Sequence, residues 1–197
     1  MGEFFTSFEN AWAAFLERRE PLEWLFGDFP EDETSVAQGW LVEAPTNVKG
    51  PAVELQRALA HLEWLAPVPE HFLHVWLGGP VTIGDAADRW HEVLPFEVEF
   101  RRVNCFHSAV VVEASTDGFD RLVHGSSVDP STFLPHMTIA VTCEEHDPEP
   151  LRDVLVSRRE TSLGRAVVDA VRLVSFPAAR TTLFTPWQAI QTIRLGE

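Results

Sequence analysis

An α+β fold of two similar lobes, two antiparallel-rich sheets flanking a central cleft with helices outside, follows from three observations. After residue 38 the periodicities run β-α-β-α-β-β-α-β-α-β-β, an order in which a strand flanked by helices occurs twice. Two of those strands share one layout: LHVWLGG, Leu73 to Gly79, and LPHMTIAV, Leu134 to Val141. Side chains alternate faces along a strand, so His74 with Trp76, and His136 with Thr138, each form a pair on one face of an otherwise apolar strand. The histidines lie 62 residues apart, one in each lobe. An internally duplicated fold places two equivalent strands side by side and brings His74 and His136 face to face across a cleft.

The elements follow in chain order. Phe4, Phe8, Trp12, Phe15 and Leu16 recur at helical spacing, which predicts a helix over 3–26 that continues past Pro21 through Leu22, Leu25 and Phe26. Its aromatic face packs on its own domain or mediates a weak dimer. DFPEDETS (28–35) is acidic and contains proline, the composition of a loop. Residues 1–36 therefore form an N-terminal helical extension and 37–197 the main domain. GWLVEAP (39–45) is a strand, and PAVELQRALAHLEWL (51–65) a helix with Pro51 at its first position. HFLHVWL is a strand ended by Gly78-Gly79-Pro80, and IGDAADRWHEVL (83–94) a helix. FEVEFRRVNCF (96–106) and SAVVVEAS (108–115) form a hairpin turning at His107. A short helix over 117–125, the second histidine strand and a helix over 148–160 precede two or three closing strands drawn from RAVVDAVRLVSF, RTTLF and WQAIQTIRL.

Composition narrows the function classes. The 45% hydrophobic fraction, with 7 Trp and 14 Phe, supplies a sizeable core and excludes a disordered chain. Thirty acidic against 15 basic residues, a formal charge of −15, disfavour a long nucleic acid, whose binding relies on neutralising several phosphates. A small anion in a histidine-lined cleft is compatible with that charge, because net charge does not set the field inside a cleft. No apolar run reaches the ~20 residues of a membrane span, and the acidic N-terminus is unlike a signal peptide, so a cytoplasmic protein with no membrane partner is expected. Cys105 and Cys143 lie in apolar runs and read as buried free thiols.

PHMTIAV and LHVWLGG resemble the paired His-x-Thr/Ser motifs of the two-histidine (2H) phosphoesterase superfamily, which includes the 2′-5′ RNA ligase-like proteins and the 2′,3′-cyclic nucleotide phosphodiesterases. The first of these stretches matches its motif throughout. The second matches in leucine, histidine, apolar residues and trailing glycine, with Trp76 where the family has Thr or Ser. The closing RTTLFTPWQAIQTIRLG also resembles the family's C-terminal strand pair, and the resemblance spans roughly 37–196. It implies a duplicated bilobal fold, His74 and His136 as acid/base pair, and Thr138 as phosphate donor, with no metal and no cofactor. Trp76 is a stacking platform for a base or an obstruction that disables the site, and Arg180, at the start of RTTLF, is a candidate phosphate contact. The expected activity is hydrolysis of a 2′,3′-cyclic phosphate on a nucleotide or short RNA end by a monomer or weak dimer. The alternative is a catalytically impaired nucleotide- or RNA-end-binding module of the same fold.

The chemistry is self-consistent. Opening a cyclic phosphodiester needs a base for water and an acid for the leaving ribose oxygen, and two imidazoles titrating near ~6.5 supply both. A hydroxyl beside them can donate to the nonbridging oxygens as charge builds there.

Overall fold

The computed structural model describes residues 5–24, 36–79, 89–115, 117–123, 128–177 and 184–197. Nine strands and four helices are placed in it: α1 Phe8–Glu17, β1 Val36–Glu43, α2 Thr46–Leu59, β2 Leu65–Pro67, β3 His74–Gly78, β4 Phe96–Phe106, β5 Ala109–Ala114, α3 Phe119–Val123, β6 His136–Thr142, α4 Glu149–Arg158, β7 Ser162–Val168, β8 Ala170–Pro177 and β9 Gln188–Arg194.

The strands form one antiparallel sheet in the order β7-β4-β5-β6-β3-β1-β8-β9, with β2 beside β6. Its two halves mirror each other about the β6–β3 contact, each histidine strand being innermost in its half. The two separate sheets expected from the sequence are not found: the halves are hydrogen-bonded into one sheet, joined through the register pair Val75↔Met137. Beyond that pair the edge of β6 is taken by β2, through Leu65↔Thr142, Ala66↔Val141 and Pro67↔Ala140. A seam that short lets the halves turn relative to one another. Asp169 alone separates β7 from β8, which stand near opposite ends of the strand order. Consecutive Cα atoms are only ~3.8 Å apart, so the sheet must curl until its ends approach.

The N-terminal helix is shorter than its periodicity suggests. Ser7 caps it, accepting from the Asn10 N–H at 3.1 Å, and it ends at Glu17, with Arg18 extended. Pro21 disfavours helical backbone in the residue before it. Leu22 instead exchanges backbone hydrogen bonds with His146 at 2.8 and 3.0 Å. The helix packs on its own domain against β4, and Ala11 and Phe15 are buried.

α2 begins five residues before its expected start, so Pro51 lies inside it. The preceding turn buries Val48, while Asn47 Nδ2 donates to the Arg165 carbonyl at 2.6 Å; these contacts extend the helix past the start proline suggests. Gln56 Nε2 fastens α2 to the sheet by donating to the carbonyls of Val68 and Ile139 at 2.6 and 2.8 Å. Most of the helix expected over 83–94 falls outside the described residues. Trp90 at its end is buried edge-on against Trp40, centroids 4.8 Å apart, with Nε1 donating to the Leu122 carbonyl at 2.9 Å. The hairpin turns at His107, whose φ of 52° is the left-handed conformation a tight turn uses. Both cysteines are free thiols, Cys105 buried and Cys143 half-buried, and burial pushes the Cys105 thiol up to about 12. Among the described residues no helix is long and apolar enough to cross a membrane.

Candidate active site

The seam between β3 and β6 assembles the site. Val75 and Met137 are buried on one face, while His74, Trp76, His136 and Thr138 occupy the other. Continued by one residue each way, the antiparallel register through Val75↔Met137 sets His74 across from Thr138 and Trp76 across from His136. The two histidines are then diagonal neighbours, a relation that separates residues by about 7–8 Å. That spacing lets one phosphate sit between two imidazoles, each at hydrogen-bond reach of ~3 Å.

Each ring is anchored in the same way. His74 Nδ1 lies 2.6 Å from the Phe72 carbonyl and His136 Nδ1 lies 2.6 Å from the Leu134 carbonyl, in both cases the residue two before it. A carbonyl can only accept, so each Nδ1 carries its proton and each Nε2 is left with a lone pair for the site. Burial, which disfavours the charged ring, drives the His74 pKa down to about 4; the Phe72 hydrogen bond opposes this and the field of His136 adds to it. Burial lowers His136 as well, against its bond to Leu134. The field one ring exerts on the other is itself a consequence of their convergence. Near neutral pH both are uncharged.

Thr138 is half-buried on the same face as His136. Trp76 is 36% exposed there, 6.1 Å from the His74 ring and 5.9 Å from Phe176 between centroids. Its indole lies over Gly39: a Cβ built on that glycine would be 1.9 Å from Trp76 Cη2. Phe72 and Trp187 also wall His74, at 5.7 and 5.2 Å. Arg180 lies outside the described residues.

Residues that the motifs did not single out complete the face. Glu43 stands directly across from His74 and Glu113 directly across from His136. Each is paired with an arginine, Glu43 with Arg172 at 2.8 Å and Glu113 with Arg159 at 2.6 Å. The backbone repeats the pattern: Ala44 N–H donates to the Leu73 carbonyl and Ala114 N–H to the Pro135 carbonyl, both at 2.9 Å. The two halves also share a short stretch of sequence, Val42-Glu43-Ala44 and Val112-Glu113-Ala114, a three-residue echo that the histidine motifs alone do not reveal. Burial raises the Glu113 pKa against the opposing bonds from Arg159 and Asn104. Among the described residues no three His, Cys, Asp or Glu side chains gather as a metal-ligand set.

No family model matches the chain, and no curated protein matches it. Solved structures do. TT0787 of Thermus thermophilus superposes with a TM-score of 0.63 at 19% identity, over 81% of this chain and 98% of that one. Escherichia coli LigT complexed with phosphate gives 0.57 at 15% identity, over 90% and 99%. The chain has the fold of LigT. A structure described as a phosphoesterase agrees, with a TM-score of 0.55 at 16% identity over 82% and 98%.

Proposed function

We propose that the protein is a metal-independent phosphodiesterase that opens the 2′,3′-cyclic phosphate of a nucleotide or short RNA end. The observation that carries the reading is the pair of imidazoles on one face of the β3–β6 seam, each with Nδ1–H held by a carbonyl and Nε2 without a hydrogen-bond partner among the described residues. One Nε2 takes a proton from water as the water oxygen attacks phosphorus. The bond from phosphorus to one ribose oxygen breaks, and the other imidazole, protonated, gives its proton to that oxygen. Both rings are neutral at rest, and an arriving phosphodiester anion favours the imidazolium that the second step needs. The Thr138 hydroxyl donates to a nonbridging oxygen, and Trp76 stacks on the base. LigT has been captured with 3′-AMP, NADP+ and ATP, so a site on this fold accepts nucleotides, which supports a nucleotide-sized substrate here.

A second reading is favoured by Trp76 where the motif carries a hydroxyl: a module that binds the nucleotide without turning it over. One experiment separates them. The protein is incubated in chelator with 2′,3′-cyclic nucleotides, cyclic dinucleotides and 2′-5′-linked oligomers, beside His136→Ala and Trp76→Thr variants. The phosphodiesterase reading expects turnover that falls about 10²–10⁴-fold in His136→Ala, the usual size of a lost acid or base. Equal turnover in wild type and His136→Ala on every substrate would sink it. Binding without turnover in wild type, and turnover appearing in Trp76→Thr, is the outcome of the second reading.

A further inference from the structure

Aromatic rings flank His74 at both ends. The Phe72 ring, two residues before it, has its centroid 5.7 Å away, and the Trp76 ring, two residues after it, 6.1 Å. Trp187 lies on Phe72 at 4.4 Å, and its indole stands 5.2 Å from the His74 imidazole at an interplanar angle of 90°. Trp187 immediately precedes β9, which is three places from β3 in the strand order. It therefore meets His74 only by standing over the site face. Its support is indirect. Phe72 and Phe184, 5.6 Å apart, pack against the hydrophobic core, whereas Trp187 rests on Phe72 outside that core and stays half-buried. A large apolar ring kept partly in water beside a site is the informative kind of exposure. The imidazole stands between the two indoles, so they are separate platforms and not the two jaws of one clamp. A base lying between them would displace the ring proposed to carry the proton.

We propose that Trp187, backed by Phe72, is a second base subsite, and that the site takes the last two nucleotides of an RNA end in preference to a mononucleotide. The base of the terminal nucleotide stacks on Trp76, as in the phosphodiesterase reading on which this rests. The base of the preceding nucleotide stacks on Trp187. Unstacked single-stranded ends are held in this way, with splayed bases laid on separate aromatic rings. The composition favours such a grip. With 15 basic residues against 30 acidic ones, ion pairs to successive phosphates are scarce, whereas stacking on an aromatic face needs no net positive charge. Stacking also tolerates any base, so the second subsite selects for the presence of a preceding nucleotide and not for its identity.

The test measures equilibrium affinities of the full chain for three ligands that end in the same 3′-phosphate: 3′-AMP, the diadenylate ApAp, and ApAp lacking the base of its 5′ nucleotide. In wild type, ApAp should bind about 5- to 150-fold more tightly than its abasic form, the worth of one stacked base, and more tightly than 3′-AMP. Trp187→Leu should remove that advantage, and Trp187→Phe, which keeps an aromatic face, should retain most of it. The wild-type comparison stands whether or not either variant folds. Equal affinities for ApAp and its abasic form in wild type overturn the second subsite. So does an advantage that survives in Trp187→Leu, or one lost equally in both folded variants. In each of these cases 3′-AMP still binds and the phosphodiesterase reading stands. Failure of all three ligands to bind overturns the nucleotide reading and the subsite with it.

Discussion

Gly39→Ala is the most economical way to ask what Trp76 does, because it displaces that indole without altering any group proposed to touch phosphate. The added methyl would stand 1.9 Å from Trp76 Cη2, 2.2 Å from Cζ2 and 2.8 Å from the Gly78 carbonyl. Carbon contacts settle at about 3.5–4.0 Å, so the ring must retreat by roughly 2 Å, and the carbonyl on the paired strand must give as well. Overfilling of this kind costs about 1–3 kcal/mol of stability. If Trp76 is a stacking platform, its displacement also removes about 1–3 kcal/mol of base stacking, which is about 5- to 150-fold in affinity. Affinity is measured for 3′-AMP and for ribose 3-phosphate, which has the phosphate but no base, together with the melting temperature. The expected result is a lower melting temperature, a weaker 3′-AMP complex and an unchanged ribose phosphate complex. Equal losses for both ligands would refute the platform and leave Trp76 as packing. An unchanged melting temperature would show that the indole does not lie over Gly39.

Two further predictions follow from charge and burial. His74 has a folded-state pKa of about 4, below the ~6.5 of an unfolded histidine, so the unfolded chain binds the extra proton as pH falls between them. Its contribution to stability is complete above pH ~6.5 and is lost on acidification, about 2 kcal/mol of it by pH 5. Denaturant unfolding from pH 7 to 5 should fall less steeply in His74→Gln than in wild type, and parallel curves would contradict the burial of that ring. The second concerns the paired arginines: Arg159→Ala leaves Glu113 buried without its cation and should cost about 3–5 kcal/mol, whereas Arg172→Ala breaks a half-exposed pair worth about 0–1 kcal/mol. Comparable losses in the two variants would contradict the difference in burial between the pairs.

The parts of this molecule legible in its sequence are those whose physics is local. Period-two alternation marked β4, and the polar pairs on otherwise apolar strands marked His74 with Trp76 and His136 with Thr138 as sharing a face. Pairing between strands is not local. Nothing in LHVWLGG shows that β3 meets β6 through one register pair or that β2 takes the rest of that edge. The glutamates were visible only as single acidic residues ending apolar runs, and their place across from the histidines needed the register of β1 and β5. The N-terminal helix was readable as aromatic and amphipathic, but periodicity cannot say which surface it covers. Its overlong expectation came from apolar residues after Pro21, and of these Leu22 is satisfied by a bridge to His146 instead of a helical turn. Pro51 misled in the other direction, because buried Val48 and the Asn47 bond sustain helix ahead of it.

Nitrogen-15 NMR of the histidine side chains tests the central claim most directly. At pH 7, without ligand, His74 and His136 should each show a neutral ring with the proton on Nδ1 and a bare Nε2. On addition of inorganic phosphate the Nε2 resonances of both should move together, with one ring of the pair gaining a proton. An Nε2–H tautomer in either ring, two charged rings at rest, or a phosphate response confined to one histidine would contradict a converging acid/base pair.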